Sequence, residues 1–136
     1  DRIRSRGLGD VYKRQYLTSK LENGTYSMYH QQYQMALKLF TDIIKEDPKW
    51  AEGWNKRATL LFIMGNYEKS LDDIEKVLDL EPRHFGALSG RAQIYLSYKQ
   101  YEKAIDDLRK AKSIYPLIKS GENIRLIEKI IKEQQI

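Results

Sequence analysis

From Ala51 to Pro82 the chain reads AEGWNKRATLLFIMGNYEKSLDDIEKVLDLEP, and the pattern returns 34 residues later and 34 residues earlier. Downstream, Trp54 maps to Leu88, Ala58 to Ala92, Tyr67 to Tyr101, Ser70 to Ala104, Val77 to Ala111 and Pro82 to Pro116. Upstream, Ala58 maps to Gly24, Tyr67 to Tyr33, Ser70 to Ala36, Ile74 to Phe40 and Pro82 to Pro48. Small residues and prolines keep register. A fixed period of this length implies stacked copies of one supersecondary unit, since a single unit cannot bury its apolar face alone.

Within each period the apolar spacing is helical. Tyr33, Ala36, Leu37, Phe40, Ile43 and Ile44 fall at i, i+3, i+4, i+7, i+10 and i+11, one continuous stripe. Asp47-Pro48 stops that helix, because proline lacks an N–H and restrains the residue before it. The expected helices are Tyr16 to His30, Gln32 to Lys45, Ala51 to Met64, Tyr67 to Leu80, Phe85 to Tyr98 and Tyr101 to Ile114. Gly65 supplies the positive φ that a helix stop commonly needs. Lys99 stands at the equivalent place in the third unit, so that turn is expected to be less tight or more strained. Ala58 and Ser70 form the small pair at the central crossing, and Gly24 permits close approach in the first unit. By period the units cover 17–50, 51–84 and 85–118. After Gly121, Ile124, Leu126, Ile127, Ile130 and Ile131 line one face of a last amphipathic segment. Residues 119–136 are therefore expected as a helix covering the open face of the stack, with a dimerisation helix as the alternative. The fold class is all-α, an α-solenoid of three helical hairpins and a cap.

These features resemble the tetratricopeptide repeat (TPR) family, whose pattern is W-x2-L-G-x2-Y, then A-x3-F, then P. The central unit offers Trp54, Arg57, Ala58, Leu61, Ser70, Ile74 and Pro82 at those positions. The third offers Leu88, Arg91, Ala92, Tyr95, Ala104, Leu108 and Pro116. The first keeps Gly24, Ala36, Phe40 and Pro48 but departs at Lys20, Asn23 and Ser27. DPKWAEGWNKRAT (from Asp47) and LEPRHFGALSG (from Leu80) further resemble bacterial members of the family, a likeness that carries no activity with it.

The resemblance implies binding through the concave face, mainly by the first helix of each hairpin. Those positions are Leu21, Thr25, Met28 and Tyr29 in the first unit. They are Glu52, Asn55, Thr59, Phe62 and Ile63 in the second, and Ser89, Gln93, Leu96 and Ser97 in the third. Amides and hydroxyls among them suit a peptide backbone, and the apolar ones suit its side chains. Phe62 and Ile63 could equally pack inside their own hairpin. Some family members grip acidic C-terminal tails of chaperones with Lys, Asn and Arg. The matching positions here are Leu21, Thr25, Lys56, Gly86 and Gly90; only Lys56 is basic, so that clamp is not expected. The partner is thus a protein or peptide, held in the groove. The alternative is a self-associating scaffold using terminal helices.

Charge adds little. Of the net +5, the first fifteen residues carry +3, from Arg2, Arg4, Arg6, Lys13 and Arg14 against Asp1 and Asp10. The repeat body is nearly balanced, which argues against nucleic acid as partner. Residues 1–15 read as a disordered basic tail, and RGLGDVYKRQ resembles translated adapter sequence, so the tail is expected to be foreign to the gene. A genuine basic arm is the alternative. No apolar run approaches the ~18 residues of a membrane span; cytoplasm and bacterial periplasm both remain open. With no cysteine there is no thiol chemistry.

No phosphate-binding, zinc-protease or serine-hydrolase motif is present. His30 and His84 lack metal-ligand spacing and read as surface polar residues. Asp72-Asp73 and Asp106-Asp107 point about 100° apart on a helix, which disqualifies them as catalytic dyads. The reading is therefore a non-enzyme without cofactor or metal. Arg57 and Arg91 replace the usual leucine in two units. Their heads are expected to pair with carboxylates, Asp73 and Asp107 being the candidates, or else to capture an anion from a ligand.

Overall fold

The structure is a computed structural model that describes residues 2–117 and 121–135. It contains seven helices in those ranges: α1 (Arg2–Tyr29), α2 (Tyr33–Glu46), α3 (Ala51–Ile63), α4 (Tyr67–Leu80), α5 (Phe85–Ser97), α6 (Tyr101–Ile114) and α7 (Gly121–Gln134). Helices α1/α2, α3/α4 and α5/α6 form three hairpins, and each hairpin packs on the next through α2–α3 and α4–α5. Helix α1 also touches α3, and α3 touches α5, whereas α2, α4 and α6 make no such contacts with one another. The first helices converge while the second helices splay. The stack therefore curves, with α1, α3 and α5 on its hollow side.

The N-terminal stretch corrects the expectation of a disordered tail. Helix α1 begins at Arg2, well before Tyr16. No proline interrupts residues 1–29, and Gly7 and Gly9 have nothing around them for a side chain to disturb. Residues 7–13 of the extension are exposed, and the Arg14 guanidinium bonds Asp47 at 3.0 Å and lies 4.4 Å from the centre of the Trp50 ring. The other five hairpin helices begin and end within about a residue of the expected positions.

The turns inside the hairpins repeat in phase. Gln31, Gly65 and Lys99 all adopt positive φ, 62°, 81° and 59°. After each, a backbone N–H reaches back across the turn at 2.8 Å: Gln32 to Ser27 O, Asn66 to Leu61 O, Gln100 to Tyr95 O. The 3.0 Å bonds from Gly65 N–H to Phe62 O and from Lys99 N–H to Leu96 O complete the Schellman arrangement, which satisfies the last carbonyls of the helix.

The core forms three consecutive clusters. Leu17, Met28, Ala36, Phe40, Ile43 and Leu60 make the first. Ala51, Ala58, Ile74, Val77, Ala87 and Ile94 make the second. In the third, Ile124 and Ile127 of α7 close over Ala92, Ala104, Ile105 and Leu108. Burying each large aliphatic side chain contributes roughly 2 kcal/mol. At the crossings, Gly24, Ala58 and Ala92 are all buried. A Cβ on Gly24 would stand 2.5 Å from Phe40 Cε1, so the glycine makes room for that ring. In the second hairpin the Ser70 hydroxyl fills the contact by donating to Ala58 O at 2.7 Å. No described helix is long and apolar enough to cross a membrane.

Candidate binding groove

On the hollow side, α3 and α5 enclose a cavity of about 230 Å³ with α4 beneath it. Asn55, Thr59 and Phe62 come from α3; Gly86, Ser89, Gly90 and Gln93 come from α5; Ile74 and Ile94 lie on the floor with Ala58, Ser70 and Ala87. Five of the expected groove residues thus meet: Asn55, Thr59, Phe62, Ser89 and Gln93. The i, i+3/i+4 and i, i+4 spacings put them on facing stripes of two neighbouring helices. Phe62 also leans on the second core cluster and stacks on Tyr67, ring centres 5.2 Å apart.

The other expected groove residues lie elsewhere. Met28 is a correction: only 2% exposed, it is sealed in the first core cluster and cannot meet a partner. Leu21 packs partly against the same cluster, and the Thr25 hydroxyl donates to Leu21 O at 2.8 Å. Tyr29 and Ile63 are exposed outside the cavity. Leu96 packs against the third cluster, and Ser97 donates to Gln93 O. The first hairpin contributes nothing to the cavity's lining.

Glu52 is engaged by the protein itself. Its carboxylate meets His84 Nε2 at 3.0 Å, while His84 Nδ1 accepts the Ala87 N–H at 3.0 Å and caps α5. One imidazole therefore ties α3 to the start of α5, the two walls of the cavity. The hydrogen bond that His84 donates to Glu52 raises the His84 pKa above its ordinary 6.5, and the same bond lowers that of Glu52 below 4.5. Sequence reasoning, which read His84 as a surface residue, missed this link. The available signal was its position just after Pro82, where a side-chain acceptor can cap the next helix.

Arg57 and Arg91 pair as expected. Each guanidinium makes two 2.8 Å bonds, Arg57 to Asp73 and Arg91 to Asp107, and both carboxylates are buried. Arg57 also lies over the Trp54 ring, whose Nε1–H donates to Pro48 O at 2.8 Å. These forks lock the first helix of a hairpin to the second and leave little of either arginine for an outside anion. Among the described residues, no three His, Cys, Asp or Glu side chains gather as a metal site would require.

Two models described as tetratricopeptide repeat match residues 51–84 and 86–116, back to back across the central and third hairpins. The central and third hairpins are tetratricopeptide repeats. A TPR repeat-containing protein of Rhizobium etli is 60% identical over 53 residues, covering 39% of this chain and 26% of the relative. The Hsp70-Hsp90 organizing protein 1 of Glycine max is 31% identical over 78 residues, 54% of this chain and 14% of that protein. This TPR chain thus spans about a quarter or less of either relative's length. Among solved TPR structures, the first TPR of Spaghetti bound to HSP90 peptide SRMEEVD superposes with a TM-score of 0.80 at 19% identity, covering 87% of this chain and 94% of that one. The Sgt2 TPR domain from Aspergillus fumigatus gives 0.79 at 18%, covering 88% and 82%.

Proposed function

We propose that this protein is a non-enzymatic interaction module that holds a peptide or helix of a partner protein in its concave groove. The observation that carries the reading is the cavity between α3 and α5, where Asn55, Thr59, Ser89 and Gln93 stand beside the apolar faces of Phe62, Ile74 and Ile94. Polar and apolar groups alternate there as a polypeptide requires. Each polar contact would contribute ~1 kcal/mol, and a filled apolar pocket more. The TPR of Spaghetti, of the same fold and bound to a peptide, supports a peptide as the kind of ligand. An acidic tail like SRMEEVD is not the expected ligand, because Lys56 is the one basic residue at the clamp positions.

The test is capture of partners by immobilised wild type and by the Asn55→Ala/Phe62→Ala variant, with circular dichroism melts of both. The variant is expected to melt lower, since Phe62 also packs on the second core cluster, and to lose the partners at a temperature where the melts show both proteins folded. Equal retention would defeat the groove reading. A second reading, self-association, is favoured by the outward face of the first hairpin, where Tyr26 and Tyr29 are 61% and 71% exposed. Light scattering over a concentration series decides it: a constant monomer mass rejects a scaffold built by stacking copies.

A further inference from the structure

We infer that the cavity between α3 and α5 takes an uncharged, internal stretch of extended polypeptide presenting one large aliphatic side chain, and not an acidic chain terminus. This rests on the groove reading and narrows it.

The first ground is charge. The cavity's lining side chains carry no formal charge. Lys56, Arg57 and Arg91 adjoin lining residues in sequence but do not line the space, both arginines being forked to buried carboxylates, and Glu52 is already paired with His84. A carboxylate entering this space would shed water without meeting a cation, which costs far more than desolvating an amide.

Hydrogen-bonding capacity is the second ground. The hydroxyls of Ser70 and Thr59 spend their protons on Ala58 O and Asn55 O. That leaves the amides of Asn55 and Gln93 and the hydroxyl of Ser89, each both donor and acceptor, like a peptide unit. The Ser89 oxygen is shielded from solvent and has no partner among the described residues. Buried polar groups rarely go unpaired, and a turn of the Ser89 side chain about its Cα–Cβ bond would bring the hydroxyl out to a backbone group of the occupant.

Shape is the third. At about 230 Å³ the space exceeds the ~150 Å³ cavity known to admit a benzene ring, enough for one large side chain. Gly90 keeps it open. A Cβ there would meet only Ile74 Cδ1, at 3.9 Å, an ordinary contact. Packing thus tolerates a side chain at position 90 that would occupy the groove, unlike position 24.

The experiment uses N-acetylated, C-amidated peptides of Ser, Thr and Gly with a single central Leu, Ile, Met, Lys or Asp, together with SRMEEVD bearing its free carboxylate. Binding is read by fluorescence anisotropy at low and high salt against wild type, Gly90→Ala and Gly90→Leu. The Leu, Ile and Met peptides are expected to bind with little salt dependence, and the Lys and Asp peptides roughly tenfold or more weakly. Gly90→Leu should lose roughly tenfold or more. Gly90→Ala should weaken binding while melting no lower than wild type, an outcome a purely structural glycine would not produce. Preferential, salt-sensitive binding of SRMEEVD or the Asp peptide that still falls in the Gly90 variants overturns this inference and leaves the groove reading intact. Peptides that bind wild type, Gly90→Leu and Asn55→Ala/Phe62→Ala equally overturn the groove reading itself. No binding by any peptide overturns both.

Discussion

Gln31, Gly65 and Lys99 occupy one conformation at three points of the repeat, and only Gly65 does so without steric cost. Replacing Lys99 by glycine is expected to stabilise the protein by about 1 kcal/mol, read as a raised urea midpoint at unchanged slope. Gly24 presents the opposite case. Gly24→Ala would drive a methyl into the Phe40 ring and is expected to cost roughly 1–3 kcal/mol, although alanine serves at positions 58 and 92. The difference lies in the partner: Phe40 is a ring where Ile74 and Leu108 stand in the later repeats. Arg57→Ala would strand the buried Asp73 carboxylate and is expected to cost about 3 kcal/mol. The double change Arg57→Met/Asp73→Leu should recover most of that loss, because it removes the orphaned charge.

Elements are joined by few polar links, and the His84–Glu52 contact is the one that spans α3 and α5. Its pH dependence follows from the two shifts. Protonating His84 charges its bond to Glu52 and gives up the Nδ1 lone pair that accepts the Ala87 N–H; with its pKa raised, the charged pairing contributes stability that is fully present below pH 6.5 and is lost as pH rises through the folded value. The lowered Glu52 pKa contributes stability present above pH 4.5 and lost as pH falls through its folded value. The link is therefore expected to add most between these limits. Urea unfolding of wild type and Glu52→Gln across this range should show their difference greatest near its middle and shrinking on both sides. Helix boundaries were largely legible from apolar spacing and from Pro48, Pro82 and Pro116. The start of α1 was not, because glycines and basic residues weaken a helix without forbidding it.

At the scale of the molecule, each hairpin depends on the next. Helix α7 covers Ile105 and Leu108 with Ile124 and Ile127. Ile124→Asp/Ile127→Asp is expected to lower the melting temperature and to promote self-association, visible by light scattering, since the last hairpin's apolar face would be uncovered.

The repeat period, the small residues at the crossings and the helix stops were determined by the sequence alone, because they reflect local geometry that recurs wherever the pattern recurs. Which equivalent positions became core was decided only by tertiary structure. Leu60 and Ile94 are sealed, whereas Tyr26, one period earlier, is 61% exposed. The first two pack against the hairpin before their own, and Tyr26 joins none of the three clusters. The cavity lies between α3 and α5, although α1 also touches α3, and Met28 of α1 is sealed in the first core cluster. A groove wall requires two first helices side by side, and their spacing depends on contacts such as His84 to Glu52 between residues 32 positions apart.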